Sequence, residues 1–304
     1  MGEARNHDFD AFIRDKVIPP FLYRYRSVQS EHFKEDLQSA VRDARVWAHS
    51  AFEQNDPFEA LPSLSRVPPK DIRDFLGKFF EKYPGYLVTG TLFREELIKK
   101  GVKKSAIRKI LSPTLESARN FSESAITAMK ADRSQYLISS FSSRPDSILM
   151  WSHYSDAHKG VCIEFKTQEN VPQFNFPAQL SPMQYQNKRP KFTDLDIINY
   201  IGWSNFKDEE IFDNKISDRI IFGVHFTKSI DWAYEREWRL GARGDKPKYM
   251  KLNPFKVSSV LLGVKSSKKT LSIVRDVCKE FPHVSVRRMK LSQDEFSVDA
   301  GPAI

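Results

Sequence analysis

The sequence predicts an α+β fold, because strand-like segments stand both before and after a long helical stretch. These segments do not alternate regularly with helices, as they would in a doubly wound fold. The chain has 304 residues, of which 40% are hydrophobic, and this is enough to build a core. It contains no internal repeat and no low-complexity linker. We therefore expect a single α+β domain over 1–304, with a helical insertion or subdomain at about 70–133.

The first strand prediction rests on an alternating aromatic segment at 21–26. Alternation places Tyr23 and Tyr25 on one face and Leu22, Arg24 and Arg26 on the other. Further strands are predicted at 44–49, 136–141, 160–165, 183–186, 220–226, 235–240, 257–264 and 284–289. Helices are predicted at 30–42, through 70–133, near 146–154, at roughly 193–216 and at about 270–281.

Composition limits the kind of protein. The 48 Lys and Arg residues against 39 Asp and Glu give a net charge of +9, which favours an anionic partner, either nucleic acid or a phosphate-bearing small molecule. Two cysteines are too few for a disulfide framework or a four-cysteine zinc site. Without an apolar run long enough to span a membrane or an N-terminal apolar segment, we expect a cytoplasmic protein with no membrane partner.

Standard catalytic and binding motifs do not explain the chain. It has no glycine-rich phosphate loop, no nucleophile elbow, no zinc-protease helix and no nucleic-acid module signature. His153 and His158, with Asp156 between them, could ligate a metal, but their spacing fits no standard site, so we expect none.

Three polar clusters lie on or beside apolar strands. The first is Arg24 with Arg26, which are paired with other groups, face a ligand or lie exposed on an edge strand. The second is the serine-rich segment 139–143, which either shapes a ligand site or precedes a helix that Asp146 caps. The third holds Glu235 and Glu237, which alternation in a strand would place on one face.

Aromatic neighbours of the two glutamates would desolvate them, which suits acid/base chemistry or stabilisation of a cation. The alternative is a solvent-facing lattice of glutamates and arginines.

Taken in order, the segments resemble a bacterial family known only as domain of unknown function 2971. The matching residues are Leu22 to Ser27, Asn55 to Glu59, Ser140 to Ser142, Trp151, Tyr154, Gly160 to Phe165, Lys228, Trp232 and Glu235 to Arg239. This resemblance extends over most of 21–240 apart from the helical stretch, and it implies no established activity.

A more distant resemblance is to the ADP-ribosyltransferase superfamily, in which a basic residue, a serine and a glutamate follow one another on successive strands. It implies split mixed and antiparallel sheets with a helical insertion, and NAD as the substrate that serves as cofactor, without a metal. In that scheme Arg24 or Arg26 binds the ribose and phosphate side of NAD. Ser140 or Ser142 shapes the nicotinamide site.

The same resemblance assigns the remaining roles. Tyr154 or Trp151 stacks on the nicotinamide. Glu237 holds the ribose 2′-hydroxyl and stabilises the oxocarbenium-like transition state, while Glu235 orients or deprotonates the acceptor. Phe141 departs from the superfamily, which usually has a small residue there.

The function expected from this resemblance is NAD-dependent ADP-ribosylation of a macromolecule, either a protein arginine or a nucleic acid, in the setting of a toxin or of phage defence. Two alternatives stay open. One is a nucleic-acid-binding or nucleolytic protein, and the other is a non-catalytic module that binds a nucleotide or a protein partner.

Overall fold

The computed structural model describes residues 18–83, 123, 127, 135–167, 179–244, 246–252 and 255–304. The chain divides into two compact units. One comprises Met1–Ala60, Ser134–Lys188 and His225–Ile304, and the second comprises Leu61–Arg133 and Arg189–Val224. The second unit contains the predicted insertion at 70–133 together with a later segment. The positions that predicted helices between 92 and 115 lie outside the described residues.

In chain order, the strands are β1 (Phe21–Arg26), β2 (Arg45–Ser50), β3 (Ser63–Ser65), β4 (Tyr136–Ser142), β5 (Val161–Lys166), β6 (Gln179–Pro182), β7 (Gln184–Gln186), β8 (Lys191–Thr193), β9 (Thr227–Ser229), β10 (Glu237–Arg243), β11 (Lys248–Lys251), β12 (Lys256–Leu262), β13 (Ser285–Leu291) and β14 (Val298–Ala303). The helices are α1 (Phe33–Asp43), α2 (Pro69–Lys82), α3 (Ile148–Tyr154), α4 (Asp194–Phe206), α5 (Ile216–His225) and α6 (Lys268–Cys278). Short 3₁₀ helices occupy Ala51–Glu53 and Ile230–Glu235.

The first unit is built on one mixed sheet. Its strand order is β11-β2-β4-β1-β5-β12-β13-β14, with β10 pairing β4 and β6 pairing β10. Neighbouring strands of this sheet are antiparallel except β12 and β13, which are parallel. The mixture of helices with a largely antiparallel sheet confirms the α+β class.

Strand β4 divides this sheet. One edge of β4 pairs with β10 along its whole length, from Tyr136 to Ser142. The other edge pairs with β2 only at Leu137 and Ile138, and with β1 only at Ser142. The two partner strands therefore separate beside the middle of β4, and a gap opens between them.

Alternation along β1 supplies both faces of the sheet with apolar side chains, as the sequence predicts. Leu22 packs in a cluster with Leu37 of α1 and Val274 of α6. Tyr25 faces the opposite way, and its ring packs edge-on against the indole of Trp151 on α3. Helices cover both faces, so β1 is buried and cannot be an exposed edge strand.

Two strand predictions are wrong in whole or in part, and one helix cap differs from the expected one. The segment 220–226, predicted as a strand, lies in helix α5 as far as His225. The strand predicted at 235–240 begins only at Glu237, because Glu235 ends a 3₁₀ helix and Arg236 has a left-handed φ of 44°. Strand alternation therefore does not relate Glu235 to Glu237. Helix α3 is capped by Ser147, whose hydroxyl accepts a hydrogen bond from the Met150 amide, and not by Asp146.

The second unit has a core of its own. Strands β3 and β8 pair in parallel, and Thr193 forms a capping box with Asp196 at the start of α4. The ring of Phe79 on α2 contacts Phe206 and Phe212, with ring centroids 5.2 and 5.9 Å away. This aromatic contact joins α2 to the end of α4, and it explains part of the high phenylalanine content.

None of the helices in the described ranges combines the length and apolar character needed to cross a membrane.

Candidate functional site

A cavity of about 270 Å³ lies within the first unit, at the gap between β1 and β2. Its volume is just below the ~300–1,000 Å³ of typical small-ligand sites. The predicted site residues that line it are Arg24, Arg26, Ser140, Ser142, Tyr154, Glu235 and Glu237. Other lining side chains include His49, Glu53, Asn55 and Lys228. Side chains from distant parts of the sequence thus meet in one place.

Trp151 does not line this cavity. Its side chain is fully buried in the core beside Tyr25, and its indole N–H donates to the Pro145 carbonyl at 2.7 Å. The structure therefore gives Trp151 a packing position, and of the two aromatic candidates for the nicotinamide only Tyr154 lies at the cavity.

Lys228, Glu235 and Glu237 line what we call the carboxylate end of the cavity, which also includes the buried pair of Arg239 and Glu59. The Lys228 ammonium lies 2.7 Å from Glu235 Oε2 and 3.4 Å from Glu237 Oε2. It also lies 4.6 Å from the centre of the Trp232 ring, a cation–π contact. All three charged side chains are buried. One ammonium group therefore holds the two carboxylates together, although strand alternation does not.

Arg239 is the second cation that holds Glu237, and it contacts both carboxylate oxygens. Its Nε donates to Glu237 Oε1 at 3.0 Å, and its Nη1 donates to Glu59 Oε1 at 2.6 Å. Nη1 also donates to the His225 carbonyl at 2.5 Å. The Arg239 side chain is 0% exposed, so this pairing takes place away from water. Such forked contacts determine the orientation of a carboxylate as well as its charge.

The two glutamates differ in proton affinity. Burial raises the pKa of Glu237, but the charges of Arg239 and Lys228 outweigh burial and lower it to about 2. A hydrogen bond from Ser140 contributes in the same direction. Burial raises the pKa of Glu235, and Lys228 offsets only part of that effect. Glu237 is thus a permanent anion near neutral pH, and Glu235 is the stronger base.

Tyr154 and Asn55 complete the surroundings of Glu235. The Tyr154 hydroxyl donates to Glu235 Oε1 at 2.5 Å and accepts a hydrogen bond from Asn55 Nδ2 at 2.8 Å. Burial and the charge of Glu235 raise the pKa of Tyr154, so the phenol stays protonated. Because one oxygen of Glu235 faces Tyr154 and the other faces Lys228, its orientation is set from both sides.

Ser142 acts on the backbone. Its buried hydroxyl donates to the Glu235 carbonyl at 2.7 Å and accepts from the Arg144 amide at 3.2 Å. The amide of Glu237 in turn donates to the Tyr185 hydroxyl at 2.7 Å. These bonds hold the left-handed turn at Arg236, which brings both glutamates to Lys228.

Arg24, Arg26 and His49 form what we call the arginine end. One guanidinium nitrogen of Arg24 donates to the Trp47 carbonyl at 2.8 Å, while its Nη1 is buried and finds no hydrogen-bond partner among the described residues. Arg26 pairs with Asp36, but its Nε is also buried and unpartnered. Burial and the neighbouring Arg26 charge lower the pKa of Arg24 to about 9. Within the described part of the chain, Arg24 makes no ion pair with a carboxylate.

Several side chains of the site escape prediction from the sequence. His49 comes from β2, and nothing local connects it to the glutamates. A signal did exist for Asn55, Glu59, Lys228 and Arg239, since all four stand among the residues that resemble the family.

The residues that raised the nucleolytic alternative are placed elsewhere. The Asp156 carboxylate accepts hydrogen bonds from the Ser27 hydroxyl and the Val28 amide, which anchors the end of β1. His158 Nε2 lies 3.2 Å from the Ser152 hydroxyl. Over the described ranges, no group of three or more His, Cys, Asp or Glu side chains is placed to hold a metal ion.

Comparison with known proteins gives one match. Residues 150–240 match a family described as Protein of unknown function (DUF2971). The matched segment contains Tyr154, Lys228, Glu235 and Glu237, and it ends within β10. Neither the curated proteins nor the solved structures contain a significant match. The resemblance to the named family is supported over this segment, while that to ADP-ribosyltransferases stays a prediction.

Proposed function

We propose that the protein is an NAD-dependent ADP-ribosyltransferase that modifies a macromolecular acceptor. One observation carries the proposal: Arg24, a buried cation that no carboxylate of the described residues pairs, and Glu237, a fixed ionised carboxylate, line the same cavity. A ligand that satisfies both ends must be anionic at one place and develop positive charge at another. NAD, with its pyrophosphate and its nicotinamide–ribose bond, has this distribution of charge.

The carboxylate end is suited to stabilise a cation. Its buried charges are three carboxylates, Glu59, Glu235 and Glu237, against two cations, Lys228 and Arg239, which leaves one negative charge in excess when all are ionised. Cleavage of the nicotinamide–ribose bond places positive charge on the ribose. A carboxylate already fixed at that place stabilises the transition state without reorganising.

The two glutamates divide the work in the proposed reaction. The C1′–N bond breaks, its electron pair leaves with nicotinamide, and a lone pair of the acceptor forms the new bond to C1′. Glu235, the stronger base, receives the proton that the acceptor loses. Glu237 stays ionised throughout and binds the ribose hydroxyl. Tyr154 lies beside Glu235, where its ring can also border the nicotinamide.

The arginine end is suited to the other half of NAD. A guanidinium group binds phosphate oxygens through charge-assisted hydrogen bonds, and both arginines have an N–H left for such a bond. Burial of these groups without a ligand is unfavourable, because a buried donor without a partner loses its hydration.

The test measures NAD cleavage and transfer separately. Purified protein is incubated with NAD labelled in its adenosine part, with and without cell lysate, while released nicotinamide is quantified. We expect nicotinamide release together with transfer of label to a macromolecule. Glu237→Gln should lower the release rate at least about 100-fold, as expected for loss of a preorganised electrostatic contact. The exposed Glu280→Gln is the matched control and should keep the wild-type rate.

Wild-type protein that neither releases nicotinamide nor labels any macromolecule would overturn the proposal. Binding of NAD without release would instead support the alternative of a non-catalytic nucleotide-binding module. Binding of nucleic acid that weakens steeply with salt, without binding of NAD, would support the nucleic-acid alternative.

A further inference from the structure

The arginine end contains a histidine that the proposed reaction does not use. His49 lies on β2, opposite Ile138 of β4, and its side chain lines the cavity together with Arg24 and Arg26. Its side chain is 44% exposed, so it is accessible from the cavity. Neither the aromatic pattern of β1 nor the glutamate cluster points to this residue.

A carboxylate determines which nitrogen of His49 is available to a ligand. Nδ1 of His49 lies 3.3 Å from Glu53 Oε2. Glu53 is itself fixed, because the same oxygen accepts the Ser50 amide in a capping box. A neutral histidine whose Nδ1–H donates to a carboxylate keeps its second nitrogen, Nε2, for another partner.

His49 is neutral near pH 7 while the cavity is empty. Burial and the charge of Arg24 lower the pKa of His49, the charge of Arg26 acts in the same direction, and Glu53 offsets only part of these effects. Arg24, Arg26 and Glu53 are the charged groups that act on the ring. A bound polyanion would cancel the repulsion from the arginines and attract the imidazolium.

We propose that His49 is the third cationic group of the arginine end, and that it takes up a proton when a ligand with a pyrophosphate group binds beside Arg24 and Arg26. The proposal rests on the proposed function only for the class of ligand, and it does not require that the protein cleave NAD. The histidine would make ligand affinity depend on pH within the physiological range.

The sign of this dependence follows from linkage. Since the ligand raises the pKa of His49, the additional affinity is fully present below the pKa of the free protein and is lost as the pH rises through the pKa of the complex. Each unit by which the ligand raises this pKa makes binding up to about tenfold tighter at the acid limit than at the alkaline limit.

Isothermal titration with ADP-ribose tests the proposal. ADP-ribose carries the pyrophosphate, is not consumed, and does not itself titrate near pH 7. Titrations in two buffers of different ionisation enthalpy measure how many protons the complex gains. For the wild-type protein we expect an uptake between zero and one proton near pH 7, and weaker binding at about pH 8.5 than at about pH 6.

Two variants make the test specific. His49→Gln should bind ADP-ribose with no proton uptake near pH 7 and with nearly the same affinity from about pH 6 to about pH 8, because glutamine does not titrate and Arg24, with its pKa of about 9, stays charged over that range. The exposed His283→Gln is the matched control and should keep the wild-type uptake. Circular dichroism of both variants checks that the fold is retained.

Three results would overturn the role of His49: no binding of ADP-ribose to the wild-type protein, binding without proton uptake, or undiminished uptake in His49→Gln. The proposed reaction fails separately. If ADP-ribose binding takes up a proton but no nicotinamide is released from NAD, the proposed reaction is wrong and the proposed role of His49 stands. If nicotinamide is released but no proton is taken up, only the proposed role of His49 is wrong.

Discussion

The two ends of the cavity hold buried charges in opposite ways. At the carboxylate end, Glu237 is bonded by Lys228 and Arg239, and Arg239 is bonded in turn by Glu59. At the arginine end, the described residues give Arg24 one hydrogen bond, to a backbone carbonyl, and leave one of its buried N–H groups without a partner. Charges that the fold already satisfies are part of its stability, whereas a charge left unsatisfied indicates where a ligand binds.

This difference predicts mutational effects of opposite kind at the two ends. Removal of a cation from the carboxylate end should chiefly lower stability. Removal of Arg24 should chiefly lower ligand affinity. Among the described residues Arg24 makes no ion pair with a carboxylate, so its removal leaves no carboxylate buried without a partner.

The largest effect is expected for Arg239→Met. The substitution leaves Glu59 and Glu237 buried without their shared cation, which should lower the free energy of unfolding by about 3–5 kcal/mol. Urea unfolding measures this loss. Arg45→Met removes an exposed arginine from β2 and should change stability by less than about 0.5 kcal/mol. If both variants proved equally stable, the carboxylate end would not be an integral part of the fold.

A smaller effect is expected for Arg24→Met, and it concerns the affinity for ADP-ribose. Loss of a charge-assisted contact to phosphate should weaken ADP-ribose binding at least about 30-fold, which corresponds to roughly 2 kcal/mol. The free energy of unfolding should stay the same or rise, since methionine fills the space without a buried charge. Titration calorimetry and urea unfolding of the same sample measure both quantities. A loss of stability as large as that of Arg239→Met would abolish the contrast between the two ends.

The smallest effect concerns pH. In the folded protein the pKa of Glu237 lies at about 2, below its ordinary value of 4.5, so its ionised form stabilises the fold. This contribution is complete above about pH 4.5 and is lost as the pH falls towards 2. In Glu237→Gln, the free energy of unfolding should fall less steeply as the pH is lowered than in the wild-type protein. The two slopes should differ by at most the effect of one bound proton, which is about 1.4 kcal/mol per pH unit.

Urea unfolding at a series of acid pH values measures this slope. Glu280→Gln should leave it unchanged, because the side chain of Glu280 is exposed. Glu235 changes the stability over a higher pH range than Glu237 does, because its pKa in the folded protein is raised and not lowered. An identical slope in wild-type protein and Glu237→Gln would mean that Glu237 is not held as an anion by its neighbours.

The sequence predicted the fold well where the spacing of apolar residues agrees with which side chains are buried. Strand β1 has the predicted bounds because aromatic residues on one face meet α3 while Leu22 on the other meets α1. Segment 220–226 was misassigned because a short apolar run rich in isoleucine, phenylalanine and valine fits a buried helix as well as a strand. Length and context, which a local pattern does not contain, decide between the two.

The site was predictable only in part, for a related reason. Arg24 stands out in the sequence because it lies in an aromatic strand, Ser142 because it belongs to a serine-rich segment, and Glu237 because large aromatic residues flank its cluster. Trp151 looked equally distinctive, yet a large aromatic ring gains more from the core than from a cavity wall. Glu59 contacts Arg239 although 180 positions separate them in the sequence. No local sequence pattern indicates so distant a contact.

The most direct measurement is a crystal structure of the complex with ADP-ribose. We expect pyrophosphate oxygens within hydrogen-bonding distance of Arg24 Nη1 and Arg26 Nε, the two buried guanidinium nitrogens that have no partner among the described residues. We also expect the distal ribose to face Glu237. Electron density for the ligand outside the cavity, with both guanidinium groups still unpartnered, would contradict the account.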